Sequence, residues 1–149
     1  MTVQRTLVLC KPDAVQRGLV GRIISRFEDK GLKIVGMKML TVDNAVAHEH
    51  YQEHVVKPFF SELISFITSS PLVAMAIEGE NAVEVVRQLM GATNPQNAAA
   101  GTIRGDFGLN LTKNLVHGSD SVSSAKREMA LFFSPEDLHV YDRALQEWM

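Results

Sequence analysis

The chain of 149 residues has a single cysteine, Cys10, so neither an intrachain disulfide nor a multi-cysteine metal centre can form. A lone thiol without a framework fits a reducing compartment. No run of about 18 apolar residues occurs, and Met1-Thr2-Val3-Gln4-Arg5 offers no apolar signal core before the chain turns strand-like. A cytoplasmic protein without a membrane partner is expected. Neither sign of charge is in excess: 15 Lys and Arg against 17 Asp and Glu leave a net charge of -2, and aromatics make up 7% of the chain. Such a surface gives no reason to hold a polyanion, so nucleic acid is not expected as the principal partner and any phosphate site must be local. The Walker phosphate loop, the G-x-G-x-x-G fingerprint, the G-x-S-x-G elbow and the H-E-x-x-H pair are all missing. His48, His50 and His54 stand at two- and four-residue spacing without a convincing fourth ligand, so no structural metal is expected there.

What is present is the balance of a globular chain, 46% hydrophobic against 21% charged, with no linker, repeat or low-complexity tract to divide it. One domain over residues 1–149 is expected. Arg5 to Lys11 is a run of β-formers ended by Pro12. Val20, Ile23, Ile24 and Phe27 recur at helical spacing before Gly31, which suits a C-cap. Val35, Met37 and Met39 alternate against Gly36 and Lys38, predicting a strand over 32–41 with a polar-tolerant second face. Asp43 or Asn44 caps a weaker helix to about His54, and Phe60, Leu63, Ile64 and Ile67 make the next stripe. Leu72 to Glu78 is apolar throughout, as a strand covered on both faces would be, and Asn81 opens a helix to Met90. From Ala92 to Leu115 no period holds, which predicts a long loop of the kind used for function or subunit contact. Val116-His117 then leads into an N-cap cluster and a last helix with the stripe Val122, Ala125, Met129 and Phe132. The order predicts an α+β fold, a βαββαβ sandwich with a four-stranded antiparallel sheet and covering helices.

Chemistry concentrates around His117, at a strand-to-helix junction and followed by Gly118, where a ligand can approach the backbone. A neutral imidazole is a nucleophile near pH 7, and a phosphorylated one suits onward transfer. Glu128 lies on the face of the last helix that carries Ser121 and Ser124, from which it can reach back to orient His117 or a bridging Ser119. A capped helix with a surface histidine and an exposed glutamate accounts for the same spacing. Lys11 follows a strand, Arg87 borders the stripe of Val83, Val86 and Met90, and Arg104 lies in the long loop. Converged, the three make a forked anion clamp; dispersed, they are surface charges. Phe59 sits off the centre of its helical stripe and is either a stacking surface for a flat ligand or a core edge beside Leu63 and Phe66. Tyr51 offers a phenol to orient His54 or touch phosphate, and Thr93 and Asn114 are ordinary turn residues with weak individual signals.

Taken together, Lys11-Pro12-Asp13-Ala14-Val15-Gln16-Arg17-Gly18, Lys57-Pro58-Phe59-Phe60, Gly91-Ala92-Thr93-Asn94-Pro95, Gly101-Thr102-Ile103-Arg104-Gly105-Asp106 and Asn114-Leu115-Val116-His117-Gly118-Ser119-Asp120-Ser121 resemble nucleoside diphosphate kinases, colinearly from about Arg5 to Phe133. The resemblance implies a ferredoxin-like fold. It also implies ping-pong transfer of the γ-phosphoryl group of a nucleoside triphosphate to a nucleoside diphosphate, through phosphohistidine at Nδ1 of His117. Lys11, Tyr51, Arg87, Thr93 and Arg104 match the positions that handle phosphates. Lys11 and Asn114 also match those that meet sugar hydroxyls, and Phe59, Leu63 and Leu111 those that hold the base. Ser119 and Glu128 match the pair that orients the histidine. Mg2+ is implied on the nucleotide phosphates, without a dedicated protein cage. Ala14, Leu111 and Ser123 depart from the glycine, valine and glutamate common in the family; loss of the glutamate at 123 removes one arm of a capping box.

Stacking without base-edge hydrogen bonds predicts broad base use. The family assembles as hexamers or tetramers, and the tail to Trp148-Met149 resembles the hexameric branch. A phosphohistidine carrier would need His117 without a base and sugar site, and a catalytically silent subunit would not retain every matched position.

Overall fold

The computed structural model describes residues 2–149. Its sheet is formed by β1 (Val3–Cys10), β2 (Lys33–Leu40), β3 (Leu72–Glu80) and β4 (Val116–Gly118), in the order β2-β3-β1-β4 with every pairing antiparallel. This is the ferredoxin-like arrangement of an α+β sandwich. β1 is central and buried on both sides. Val8 and Cys10 face a core shared with α2 (Val20–Lys30) and α5 (Ala82–Met90), whereas Leu7 and Leu9 face a second core with α3 (Asn44–His50), α4 (Phe60–Ile67) and α7 (Val122–Phe132). Alternation along one strand thus feeds two apolar layers, which is why Leu7–Cys10 shows no polar face.

Helix ends follow the expected local chemistry. Gly31 closes α2 at φ 101°, a conformation that L side chains resist, and the carboxylate of Asp43 accepts from the Val46 N–H at the start of α3. At the start of α7, the Ser121 hydroxyl accepts from the Ser124 N–H.

The segment after Pro12 is a five-residue helix, α1 (Pro12–Gln16), since Pro suits a first helical turn. Four expectations need correction. The helix begun at Asp43 ends at His50 rather than near His54, with a 3-10 turn over Gln52–His54 beyond it. The long aperiodic stretch contains a 3-10 turn at Pro95–Asn97 and α6 (Ile103–Phe107), where the Thr102 hydroxyl accepts from the Gly105 N–H. In β2 a bulge between Ile34 and Gly36 shifts the phase, so Val35 is buried while Met37 and Met39 are exposed, against the expected Val35, Met37, Met39 face. Val122 is likewise half exposed, and Ala125 and Phe132 carry the buried face of α7. Among the described residues no helix is long and apolar enough to cross a membrane.

Candidate active site

β1 and β4 place the central groups. Antiparallel pairing sets Leu9 opposite His117 and Cys10 opposite Val116, and Lys11 follows immediately beyond the end of β1. Leu115, ahead of β4, is fully buried at φ 76°, in the left-handed region that costs a branched residue about 1–3 kcal/mol. Two contacts hold it there: its N–H donates to Asp13 Oδ2 at 3.0 Å, and its carbonyl accepts from the Lys11 N–H at 2.8 Å. The strained residue turns the chain so that Asn114 faces Lys11 and His117 enters the ladder.

A cavity of about 650 Å³ opens over this end of the sheet. Lys11, Tyr51, Phe59, Leu63, Arg87, Thr93, Arg104, Leu111, Asn114, His117 and Glu128 all line it; Ser119 is fully buried behind it. Residues from eight separate stretches of chain therefore converge, and the alternative of dispersed surface charges does not apply.

His117 Nε2 is hydrogen-bonded to Glu128 Oε1. A carboxylate can only accept, so the ring donates through Nε2 and keeps its lone pair on Nδ1. Nδ1 has no hydrogen-bond partner among the described residues. Glu128 is 4% exposed, and the hydroxyl of Ser119 donates to the same Oε1 at 3.2 Å. Ser119 thus braces the carboxylate and does not bridge to the ring; the surface histidine with an exposed glutamate is excluded.

The cations differ in how freely they can meet a ligand. Arg104 is 7% exposed, and it donates from Nε to the Asn114 carbonyl at 3.2 Å, from Nη1 to Gly91 at 3.0 Å and from Nη2 to Val116 at 2.7 Å. Of the five N–H groups of a guanidinium, two remain for an anion. Burial, with the nearby charge of Arg87, lowers its pKa to about 10. Arg87 is exposed and reaches the Gly118 carbonyl only at 3.5 Å. Lys11 Nζ donates to Asn114 Oδ1 at 2.5 Å, and Asn114 Nδ2 donates to the Thr93 carbonyl at 3.1 Å. Burial pulls Lys11 down to about 8, opposed by the charge of Asp13 and aided by that of Arg104. Tyr51 is pushed up to about 12, by burial and then by the charge of Glu128, so its phenol stays a donor.

At the rim, Phe59 is 42% exposed, with His54 at 5.7 Å between ring centroids and Lys57 Nζ 5.6 Å from its own ring. It is a half-open aromatic face and not a core edge. Leu63 and the exposed Leu111 line the same mouth. Cys10 is buried and its thiol is raised to about 12, first by burial, so it is inert.

Sequence reasoning missed His50 and Asp13. His50 lies at the end of α3 with its ring edge-on to His117, 4.5 Å between centroids, and burial before all else lowers its pKa to about 2. The buried Asp13 has a readable signal, an acid in the first turn of a Pro-started helix. Nothing local to the sequence could have found His50, whose neighbours come from β4 and α7.

The arrangement can fix an imidazole as one tautomer, aim its unprotonated nitrogen at a phosphate held by cations, and stack a flat group at the mouth. Comparison with known proteins gives the same direction. The sequence profile described as nucleoside diphosphate kinase matches residues 4–138. A nucleoside diphosphate kinase of Pyrococcus horikoshii is 60% identical over 144 residues, covering 95% of this chain and 92% of that protein. One from Archaeoglobus fulgidus is 57% identical over 147 residues, covering 99% and 97%. Among solved structures, a halophilic nucleoside diphosphate kinase from Halobacterium salinarum in complex with CDP superposes at a TM-score of 0.96, with 54% identity over 99% of this chain and 98% of that one. A family protein from Babesia bovis superposes at 0.95, with 47% identity over 97% and 98%. With a family profile spanning most of its length and relatives above half identity across nearly all of it, this chain belongs to the nucleoside diphosphate kinases, phosphotransferases that move a phosphoryl group between nucleotides.

Proposed function

We propose that the chain works by a ping-pong reaction in which His117 carries the phosphoryl group, as a single domain acting on nucleoside triphosphates and diphosphates of any base. The observation that carries this reading is the pairing of His117 Nε2 with the buried Glu128, which leaves Nδ1 as the nitrogen facing the cationic cavity. In the first half-reaction the Nδ1 lone pair attacks the γ-phosphorus, the bond to the β-phosphate oxygen breaks, and the diphosphate leaves. Positive charge then grows on the ring, where Glu128 offsets it through the Nε2 proton. The second half-reaction is the reverse, with a different diphosphate as acceptor.

Lys11, Arg87, Arg104, Tyr51 and Thr93 would hold phosphates, Lys11 and Asn114 the sugar hydroxyls, and Phe59 with Leu63 and Leu111 the base. Alignment and charge are most of what phosphoryl transfer requires. Stacking at a half-exposed ring reads no base edge, which supports broad specificity. The relative solved with CDP supports a nucleoside diphosphate as occupant. Mg2+ fits as a passenger on the phosphates: the wall is cationic, Glu128 is engaged by His117 and Ser119, and the other acids at the cavity, Asp120, Glu53 and Glu62, form no cage. When bound it would supply positive charge to offset that of the phosphates. A cytoplasmic homohexamer is the assembly proposed, with the tetramer as its alternative.

The test is to incubate pure protein with γ-labelled ATP and map the label. An acid-labile phosphate on the peptide bearing His117 is expected; label on another residue would overturn the assignment.

Lys11 gives a pH prediction. It is charged below about 8 and loses its proton as pH rises through that value, so its contribution to phosphate binding is present at pH 7 and lost in alkali. Diphosphate affinity should fall about ten-fold by pH 9, measured by isothermal titration. The slope should flatten in Lys11→Met, and a flat wild-type profile would contradict the assignment.

A further inference from the structure

His50 is buried, and neither of its ring nitrogens has a hydrogen-bond partner. Burying a polar ring unpaired costs free energy, and phosphoryl transfer through His117 makes no use of it. Its surroundings suggest what it serves. Its Nδ1 lies 3.9 Å from Glu128 Oε1, its ring meets that of His117 at 78°, and His50, His117 and Glu128 each bring one ligand atom within 4.8 Å of the others. The three come from α3, β4 and α7, three rigid elements.

We propose that His50, His117 and Glu128 form an inhibitory Zn2+ site, with the fourth position open to the cavity. Two imidazoles and one carboxylate are a Zn2+ ligand set, whereas Mg2+ prefers oxygen donors in octahedral geometry. Bonds of about 2.0–2.2 Å place tetrahedral ligands about 3.3 Å apart, so His117 and Glu128 separate by about 1 Å while His50 closes in by up to about 1.5 Å. The proton count balances without release. In the free protein the single proton of the His117 ring is on Nε2; zinc takes the Nε2 lone pair and that proton moves to Nδ1. An Nδ1–H has no lone pair to attack phosphorus, so bound Zn2+ silences the nucleophile and lowers kcat. The metal site stands on side-chain geometry alone; the inhibition rests on His117 as nucleophile.

Binding is therefore read on the full chain without nucleotide, by calorimetric titration with Zn2+ and by nitrogen-15 spectra of the histidines. One Zn2+ per chain is expected, weakened about ten-fold or more in His50→Phe, which keeps the apolar packing. His117 should show a metal-shifted Nε2 and a protonated Nδ1 at saturation. Equal affinity in wild type and His50→Phe, or an unchanged His117 tautomer, would overturn the proposal. Should His50→Phe fail to fold, the wild-type spectra decide by themselves. Zn2+ that gives these spectra yet spares transfer leaves the metal site standing and counts against His117 as the nucleophile.

Discussion

Replacing His117 by alanine is expected to abolish labelling by γ-labelled ATP and to cut nucleotide exchange by about 10⁴-fold or more, the scale of loss when a covalent nucleophile is removed. No other group can take its place. His50 is 5% exposed and has no hydrogen bond to a carboxylate to fix its tautomer, Tyr51 is held protonated, and His54 likewise has no carboxylate partner. The fold should survive, because the His117 side chain is one quarter exposed and Glu128 keeps its bond from Ser119. Single-turnover quench measurements on folded variant protein decide the matter: retained acid-labile phosphate would mean that the nucleophile lies elsewhere.

The second large effect belongs to Arg104. Truncation to alanine removes a proposed phosphate ligand and strands the carbonyls of Gly91 and Val116, while that of Asn114 keeps the Val116 N–H at 2.9 Å; the guanidinium now ties all three together. Each carbonyl left without a donor costs about 1–3 kcal/mol, so a loss of about 2 kcal/mol or more is expected in urea unfolding, together with loss of transfer. Arg104→Lys should recover charge but little stability, since one ammonium cannot span three carbonyls set by a planar fork. An unchanged unfolding midpoint in Arg104→Ala would show that water satisfies those groups. A neighbouring constraint is tighter still: a Cβ at Gly105 would stand 2.0 Å from the Ala99 carbonyl oxygen, so the loop that presents Arg104 tolerates no larger residue there.

Much of this was legible in the chain. The stripe of α2, its closing Gly31 and the unbroken apolar run of β3 are local signals, and local physics decided them. The site was legible for a different reason: Lys11, Arg104, Asn114 and His117 carry weak signals one by one, and it is the colinear run of their motifs that resembles a known family. What stayed hidden was what depends on tertiary partners. The bulge at Val35 reversed the faces of Met37 and Met39, and no alternation rule anticipates an inserted residue. α6 is five residues long, beneath the length at which periodicity can be seen, and rests on the Thr102 cap. His50 looked like one of three spaced histidines until folding set it against residues far along the chain.

The clamp of Asp13 and Lys11 on Leu115 has a consequence for how the two halves of the catalytic apparatus are coupled. A carboxylate from the first short helix and the main-chain amide that follows β1 grip the residue from which β4 departs. Whatever displaces α1 must therefore drag the imidazole along with the ammonium, so the proposed attacking atom and the proposed phosphate anchor travel as one piece. Alignment is in this sense stored in main-chain linkages rather than in the flexible ends of side chains, and the mouth around Phe59 and Leu111 is free to vary in shape without disturbing it.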